Sequence, residues 1–261
     1  MTATTEGGAQ LTRFCVPTHT SECRHEQTHR VYTVPSPCHD LVLNKSFGSD
    51  RPTPCTSPSA PKFDTTCPAS ISEIRPRLYI GNVFASVRPA VLRDNHITAI
   101  MSIINARYGQ WSTPCIRNMV PEVNHLYIPC LDSTTMDLLP FLGRVCDFIK
   151  KHAQGPAGDN VLVHCHVGIS RSASMVIAYL MREEKRSLDD VLAEVKSKRK
   201  VRPSSNFMEQ LRVWDAVGYQ IWQDSKETIP KVEYQAYLDR RAVRLQSLGL
   251  TGDEPIELQS L

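Results

Sequence analysis

Residues 160–172 read NVLVHCHVGISRS, and the reading of this stretch decides the fold. Val161, Leu162 and Val163 form a short apolar run suited to a strand buried on both faces. The run ends in His164 and Cys165, five residues intervene, and Arg171 and Ser172 follow. A strand carrying Cys165 to its end, a tight loop turning at Gly168 and a helix beginning near Ser170 would ring one point with backbone N–H groups. Loop amides and a helix N-terminus both favour negative charge, so the stretch predicts an anion site. A cysteine placed there ionises readily. The Arg171 guanidinium forks onto two oxygens of one anion, and the combination is suited to removing a phosphoryl group.

Working outward, strand and helix signals alternate. Leu78 to Ile80 before Gly81 reads as a strand and turn, Val87 to Leu92 as a short helix, and His96 to Ile104 as a buried strand. Leu126 to Cys130 is a further strand. Leu138, Leu139, Leu142, Val145, Cys146 and Ile149 recur at helical spacing and end at Lys150 and Lys151, whose charge suits a helix C-terminus. After the 161–165 strand come a helix from Arg171 to Arg182, another opened by Ser187 with Asp189 and Asp190 in its first turn, and a last one from Ser204–Asn206 through Ile221. This order predicts an α/β fold with a central, mainly parallel, twisted sheet flanked by helices.

The flanks differ from the centre. Residues 1–70 hold eight of the eighteen prolines with many Ser and Thr, and are expected to be disordered. Residues 71–224 form the expected domain. Residues 225–261 form a C-terminal extension, partly helical through Val232, Tyr234, Tyr237, Leu238, Ala242, Val243 and Leu245. Hydrophobic content of 41% and charged content of 22% are those of an ordinary globular protein. A net charge of +3 is too slight to argue for nucleic acid, and no apolar stretch has membrane-spanning length. Nine cysteines without close pairs argue for reduced thiols and a cytoplasmic or nuclear location.

Phosphoryl transfer to Cys165 also needs an acid to protonate the departing oxygen. Asp132 closes the run Tyr127 to Asp132, and if that strand lies parallel to 161–165 both ends face the same sheet edge, where ligands gather in such folds. Asp137 is the neighbouring alternative, placed where it suits the N-terminal cap of the following helix.

VHCHVGISRS at residues 163–172 resembles the signature of the dual-specificity protein phosphatases, within the cysteine-based phosphatase superfamily. Residues 74–82 (IRPRLYIGN), Ile128 through Asp132, and Arg202-Pro203 with Phe207, Gln210 and Leu211 extend the likeness over about residues 72–222. The resemblance implies the cysteine-phosphatase fold and hydrolysis of phosphotyrosine and phosphoserine or phosphothreonine. It implies Cys165 as nucleophile, Arg171 as phosphate clamp and Asp132 as acid. Ser172 would ease thiolate release and His164 would support Cys165. The backbone of His166, Val167, Gly168, Ile169, Ser170 and Arg171 would bind phosphate, with no metal or other cofactor. A phosphorylated protein, a protein kinase among the candidates, is the implied partner; nucleic acid and membrane are not. A phosphatase for RNA ends or phosphoinositides, or a phosphoprotein-binding module with little turnover, are the competing readings. His166-Val167, and PSSNF at 203–207, depart from the commoner family pattern.

Other signals carry less. His25 to His29 spells H-E-x-x-H without the apolar helix face a zinc protease needs, and Cys15, Cys23, His25, His29, Cys38 and His39 follow no usual zinc spacing. Thr53-Pro54 and Ser57-Pro58 fit proline-directed phosphorylation, as many linkers do. Lys196 to Lys200 with Arg202 reads first as solvated charge at a helix C-terminus, and otherwise as an import signal or a dock for acidic segments. Cys130 reads as a core thiol, with a protective disulfide to Cys165 as the alternative.

Overall fold

The computed structural model describes residues 67–252 and residue 254. The expectations for the proline-rich N-terminal region, its histidine and cysteine clusters and its Ser/Thr-Pro sites lie outside the described residues, except at residues 67–70. From Ile71 the chain runs β1 (Ile71–Arg75), β2 (Leu78–Gly81), α1 (Val83–Ser86), α2 (Pro89–Asp94), β3 (Ile97–Ile103), α3 (Pro114–Arg117) and β4 (His125–Ile128). It continues through α4 (Leu139–Ala153), β5 (Asn160–His164), α5 (Arg171–Glu184), α6 (Leu188–Lys198), α7 (Ser205–Ala216) and α8 (Val232–Ser247).

The five strands form one sheet in the order β1-β2-β5-β3-β4. Only β1 and β2 pair antiparallel; β2–β5, β5–β3 and β3–β4 are parallel, as the alternation of strand and helix predicts. The continuous apolar run places β5 in the middle, because only a strand covered on both faces has a use for it. Val161 and Val163 face the larger core, shared with α4, α5 and α7, while Leu162 faces a second cluster with Leu92, Ile97, Ile100, Ile116 and Val120. The expected strand ending near Asp132 is parallel to β5, but β3 lies between them.

Three boundaries differ from the sequence reading. β1 was not foreseen: it is an edge strand with only Ile74 buried, so it lacks an apolar pattern. The helix expected over Val87 to Leu92 is α2, shifted to Pro89–Asp94, and an unforeseen one-turn helix, α1, precedes it, capped by the Asn82 side chain accepting from Ala85 N at 3.1 Å. The helix expected to reach Ile221 stops at Ala216, and Gly218 (φ +66°) and Tyr219 (φ +65°) turn the chain away. Ser187 caps α6 by accepting from Asp190 N at 3.1 Å, as anticipated. In the C-terminal extension, α8 buries Tyr234 and Tyr237 in the main core.

Candidate active site

β5 ends at His164, and Cys165 follows at the carboxyl edge of the sheet, 2% exposed. Between Cys165 and α5 the chain makes a loop whose carbonyls are anchored on the outside. The His166 carbonyl accepts from Val83 N (3.2 Å), that of Ile169 from Arg202 N (3.0 Å) and that of Ser170 from Ser174 N (2.9 Å). The Gly168 carbonyl accepts from Arg199 Nε at 2.8 Å. In a planar trans peptide N–H points opposite to C=O, so the following amides turn inward. Gly168 N itself donates to Cys165 Sγ at 3.2 Å. Gly168 has φ +78°, and a Cβ there would stand 2.5 Å from the Gly81 carbonyl oxygen, so glycine is required on two grounds. No side chain caps α5, which leaves its first-turn amides available on the same side.

Burial alone would push the Cys165 thiol pKa up. The Arg171 charge, the Ser172 hydroxyl 3.4 Å from Sγ and the Ser172 and Gly168 amides outweigh it, and the net shift is downward. Arg171 is the first residue of α5 and donates through Nη1 to the Cys130 carbonyl at 3.0 Å. That bond fixes the guanidinium plane, while its buried Nε has no protein partner among the described residues. A guanidinium anchored through one nitrogen, with an unused donor beside it, is arranged to receive an oxyanion.

A buried polar chain lies behind the cysteine. His164 Nε2 is 2.6 Å from Ser102 Oγ, which is 2.8 Å from His125 Nε2, and His125 Nδ1 is 3.5 Å from Arg117 Nη1. Arginine only donates, so the tautomers follow in sequence. His125 Nε2–H donates to Ser102, Ser102 O–H donates to His164 Nε2, and His164 Nδ1–H faces the Cys165 carbonyl at 3.4 Å. Burial, with Arg117 and Arg107 nearby, lowers the His125 pKa to about 3. Burial, with His125 and Arg171, takes His164 to about 3 as well, so both rings are neutral. Trp111 packs edge-on against both.

Asp132 is exposed on the rim, and its Oδ1 accepts from Ser170 Oγ at 3.1 Å. Ser170 therefore joins the cysteine loop to the Asp132 loop, and Ser204 N donates to the same hydroxyl at 3.2 Å. Asp137 does not share the site. It lies one residue before the cap position of α4, accepts from Leu139 N at 3.0 Å and from Tyr234 Oη at 2.9 Å, and is turned into the core. It still satisfies a helix N-terminal amide, the cap function expected of it. Cys130 is buried, which pushes its thiol well above the usual range, and it donates to the Leu131 carbonyl.

The sequence reading missed Arg199. It was grouped with solvated charges, yet among the charged residues of that run it is the one that is not exposed, unlike Lys196, Lys198, Lys200 and Arg202. Arg199 is the C-cap of α6 and reaches back to Gly168 O and, through Nη1, to Ser72 Oγ at 3.2 Å. Ser102, His125 and Arg117 were also missed. A basic residue just past a helix end and polar residues inside apolar strands were the only signals. Among the described residues no cluster of His, Cys, Asp or Glu could hold a metal ion, and no helix is long and apolar enough to cross a membrane.

Comparison with known proteins gives the family and a set of similar folds. A family model described as dual specificity phosphatase, catalytic domain, matches residues 78–217. Mouse dual specificity protein phosphatase 12 is 32% identical over 180 residues, 67% of this chain and 48% of that protein. Human dual specificity protein phosphatase 1 is 33% identical over 172 residues, 66% of this chain and 43% of the relative. The chain spans about half the length of the curated relatives it matches. Among solved structures, human DUSP28 has a TM-score of 0.50 at 28% identity, covering 58% of this chain and 96% of its own. The Yvh1 phosphatase domain from Chaetomium thermophilum has a TM-score of 0.51 at 28% identity, covering 57% and 97%.

Proposed function

The chain belongs to the dual specificity phosphatase family, and from that membership we propose that it hydrolyses phosphotyrosine and phosphoserine or phosphothreonine in proteins through a cysteinyl-phosphate intermediate. The Cys165 thiolate attacks phosphorus in line as the P–O bond to the substrate breaks. Asp132 gives its proton to the departing oxygen, and Arg171 and the inward loop amides hold the remaining oxygens as charge spreads over them. Asp132, now a carboxylate, takes a proton from water. The resulting oxygen nucleophile attacks phosphorus, the P–S bond breaks, and the Ser172 hydroxyl beside Sγ stabilises the departing thiolate.

The observation that carries this reading is a single sulfur, held between the Gly168 amide and the Ser172 hydroxyl, whose loop is tied through Ser170 to an exposed carboxylate. A protein substrate is favoured over a phosphoinositide because residues 166–170 contain no lysine. The exposed Lys196, Lys198, Lys200 and Arg202 belong to the run that bonds the loop through Arg199 and Arg202 N, and they suit acidic residues around a phosphorylated side chain, such as those of a protein kinase partner. Cys165→Ser should abolish hydrolysis of p-nitrophenyl phosphate in a folded protein; near-wild-type turnover would exclude the mechanism. The double variant Asp132→Ala with Cys165→Ser should retain phosphoproteins from an extract. Faster turnover of RNA 5′-phosphates or phosphoinositides than of phosphopeptides would overturn the substrate class.

A further inference from the structure

The segment between β4 and α4, residues 129–138, carries Asp132 and contains no helix or strand. Its polar groups are met by side chains from much later in the chain. From α7, Asn206 Nδ2 donates to the Ser133 carbonyl (3.0 Å) and to the Met136 carbonyl (2.8 Å). Gln210 donates to Met136 O at 2.8 Å and accepts from Leu138 N at 2.6 Å. From α8, Arg241 Nε donates to the buried Thr135 carbonyl at 2.6 Å, Tyr234 Oη donates to Asp137 Oδ2 at 2.9 Å, and Tyr237 Oη donates to Asn206 Oδ1 at 3.3 Å. The family match ends at residue 217, before α8 begins. Beside the ion pairs of Arg240 and Arg244 with Glu209 of α7, the helix thus adds to the common domain a set of contacts on this loop.

We propose that α8 is a positioning element for the general acid: Arg241 and Tyr234 hold residues 135–137 so that the loop presents Asp132 to the leaving oxygen above Cys165. The proposal rests on Asp132 being the acid. Asp132 is exposed, and among the described residues its side chain is held by the bond from Ser170 alone, so its placement depends on the rigidity of the segment that follows it. Arg241 has the strongest hold, a charge-assisted bond to a carbonyl that water does not reach. Neither residue touches the reacting atoms.

Leaving-group dependence separates positioning of an acid from a general structural role. A proton donor matters for phenyl phosphate, whose leaving oxygen is strongly basic, and little for 2,4-dinitrophenyl phosphate, whose leaving oxygen departs unaided. Arg241→Ala should lower kcat for phenyl phosphate about tenfold while leaving the dinitrophenyl ester within about twofold. Tyr234→Phe should act in the same direction, Arg241→Lys should restore most of the loss, and Arg241→Ala should add nothing in an Asp132→Ala background. Equal losses on both esters, or no loss on either, would overturn the role of α8. A flat leaving-group response in Asp132→Ala itself would instead remove the acid assignment, and the proposal with it. If Arg241→Ala does not fold, Tyr234→Phe and Arg241→Gln provide the same contrast.

Discussion

Arg199 offers a demanding perturbation, because its charge lies outside the signature yet two of its donors end on the phosphate-loop side of the molecule. Arg199→Met keeps much of the aliphatic stem and removes the bonds to Gly168 O (2.8 Å) and Ser72 Oγ (3.2 Å). Hydrogen bonds from a charged group contribute about 1.5–3 kcal/mol each when made to buried partners. Arg199 is half-buried and its second bond is long, so about 2–3 kcal/mol for the pair is reasonable. For a domain of this size that lowers Tm by about 4–12 °C. The kinetic effect has a different origin. Releasing the Gly168 carbonyl frees the 168–169 peptide to rotate, and the Ile169 amide leaves the ring of donors. One oxyanion donor is worth about 10²–10³ in kcat when removed outright, so partial misalignment should lower kcat/KM about tenfold.

The same change removes a cation coupled to Cys165. The Cys165 pKa, depressed in the native protein, should rise, moving the acid limb of the kcat/KM profile and of thiol alkylation by iodoacetate to higher pH. Arg199→Lys should keep more of the pH behaviour than of the thermal stability, because lysine carries the charge without the fork. If Arg199→Met matches wild type in Tm, in the alkylation profile and in kcat/KM, the residue is a surface charge and the brace has no energetic content.

Gly168→Ala combines a positive φ with a Cβ 2.5 Å from the Gly81 carbonyl oxygen, and should cost about 1–3 kcal/mol from the backbone conformation alone. It should also reduce kcat/KM by at least about a hundredfold as the Gly168 amide leaves Sγ; an active, equally stable variant in a urea titration would contradict the loop geometry. His125 and His164 are neutral with pKa values lowered from 6.5 to about 3. The unfolded chain therefore binds more protons than the native one between those limits. Stability from these groups is present above pH 6.5 and falls as pH drops toward 3. His125→Gln should flatten that fall in urea titrations at stepped pH, and an unchanged slope would exclude His125 as a contributor.

The parts of the fold legible in the sequence were those with a local signal. The apolar run into Cys165, the glycine at the turn, the arginine at the helix start and the 3.6-residue spacing of α4 each announce themselves over a few neighbours. Asp132 was legible because parallel strands deliver their ends to one edge, although nothing local revealed that β3 separates β4 from β5. What was illegible depends on long-range partners. Arg199 looks like any basic residue after a helix, and only folding brings it to Gly168, 31 positions earlier. Asn206 and Gln210 interrupt an otherwise apolar face of α7, but their targets at 133–138 lie some seventy residues away. Ser102 and His125 carry no periodicity that distinguishes them from incidental polar residues in a strand. Arg199, alone among these, contradicts an explicit expectation.

The near-contact between Gly168 and the end of β2 has a consequence for selectivity. With backbone set against backbone, the floor of the bowl is an extension of the sheet, and it has little freedom to reshape around one phosphoester or another. Every monoester meets the same rigid seat. On the proposed function, discrimination would fall to whatever stands above it, and His166 and Val167, both exposed, are the side chains placed to meet a phosphorylated segment first. On that reading, selection would be a matter of approach more than of grip.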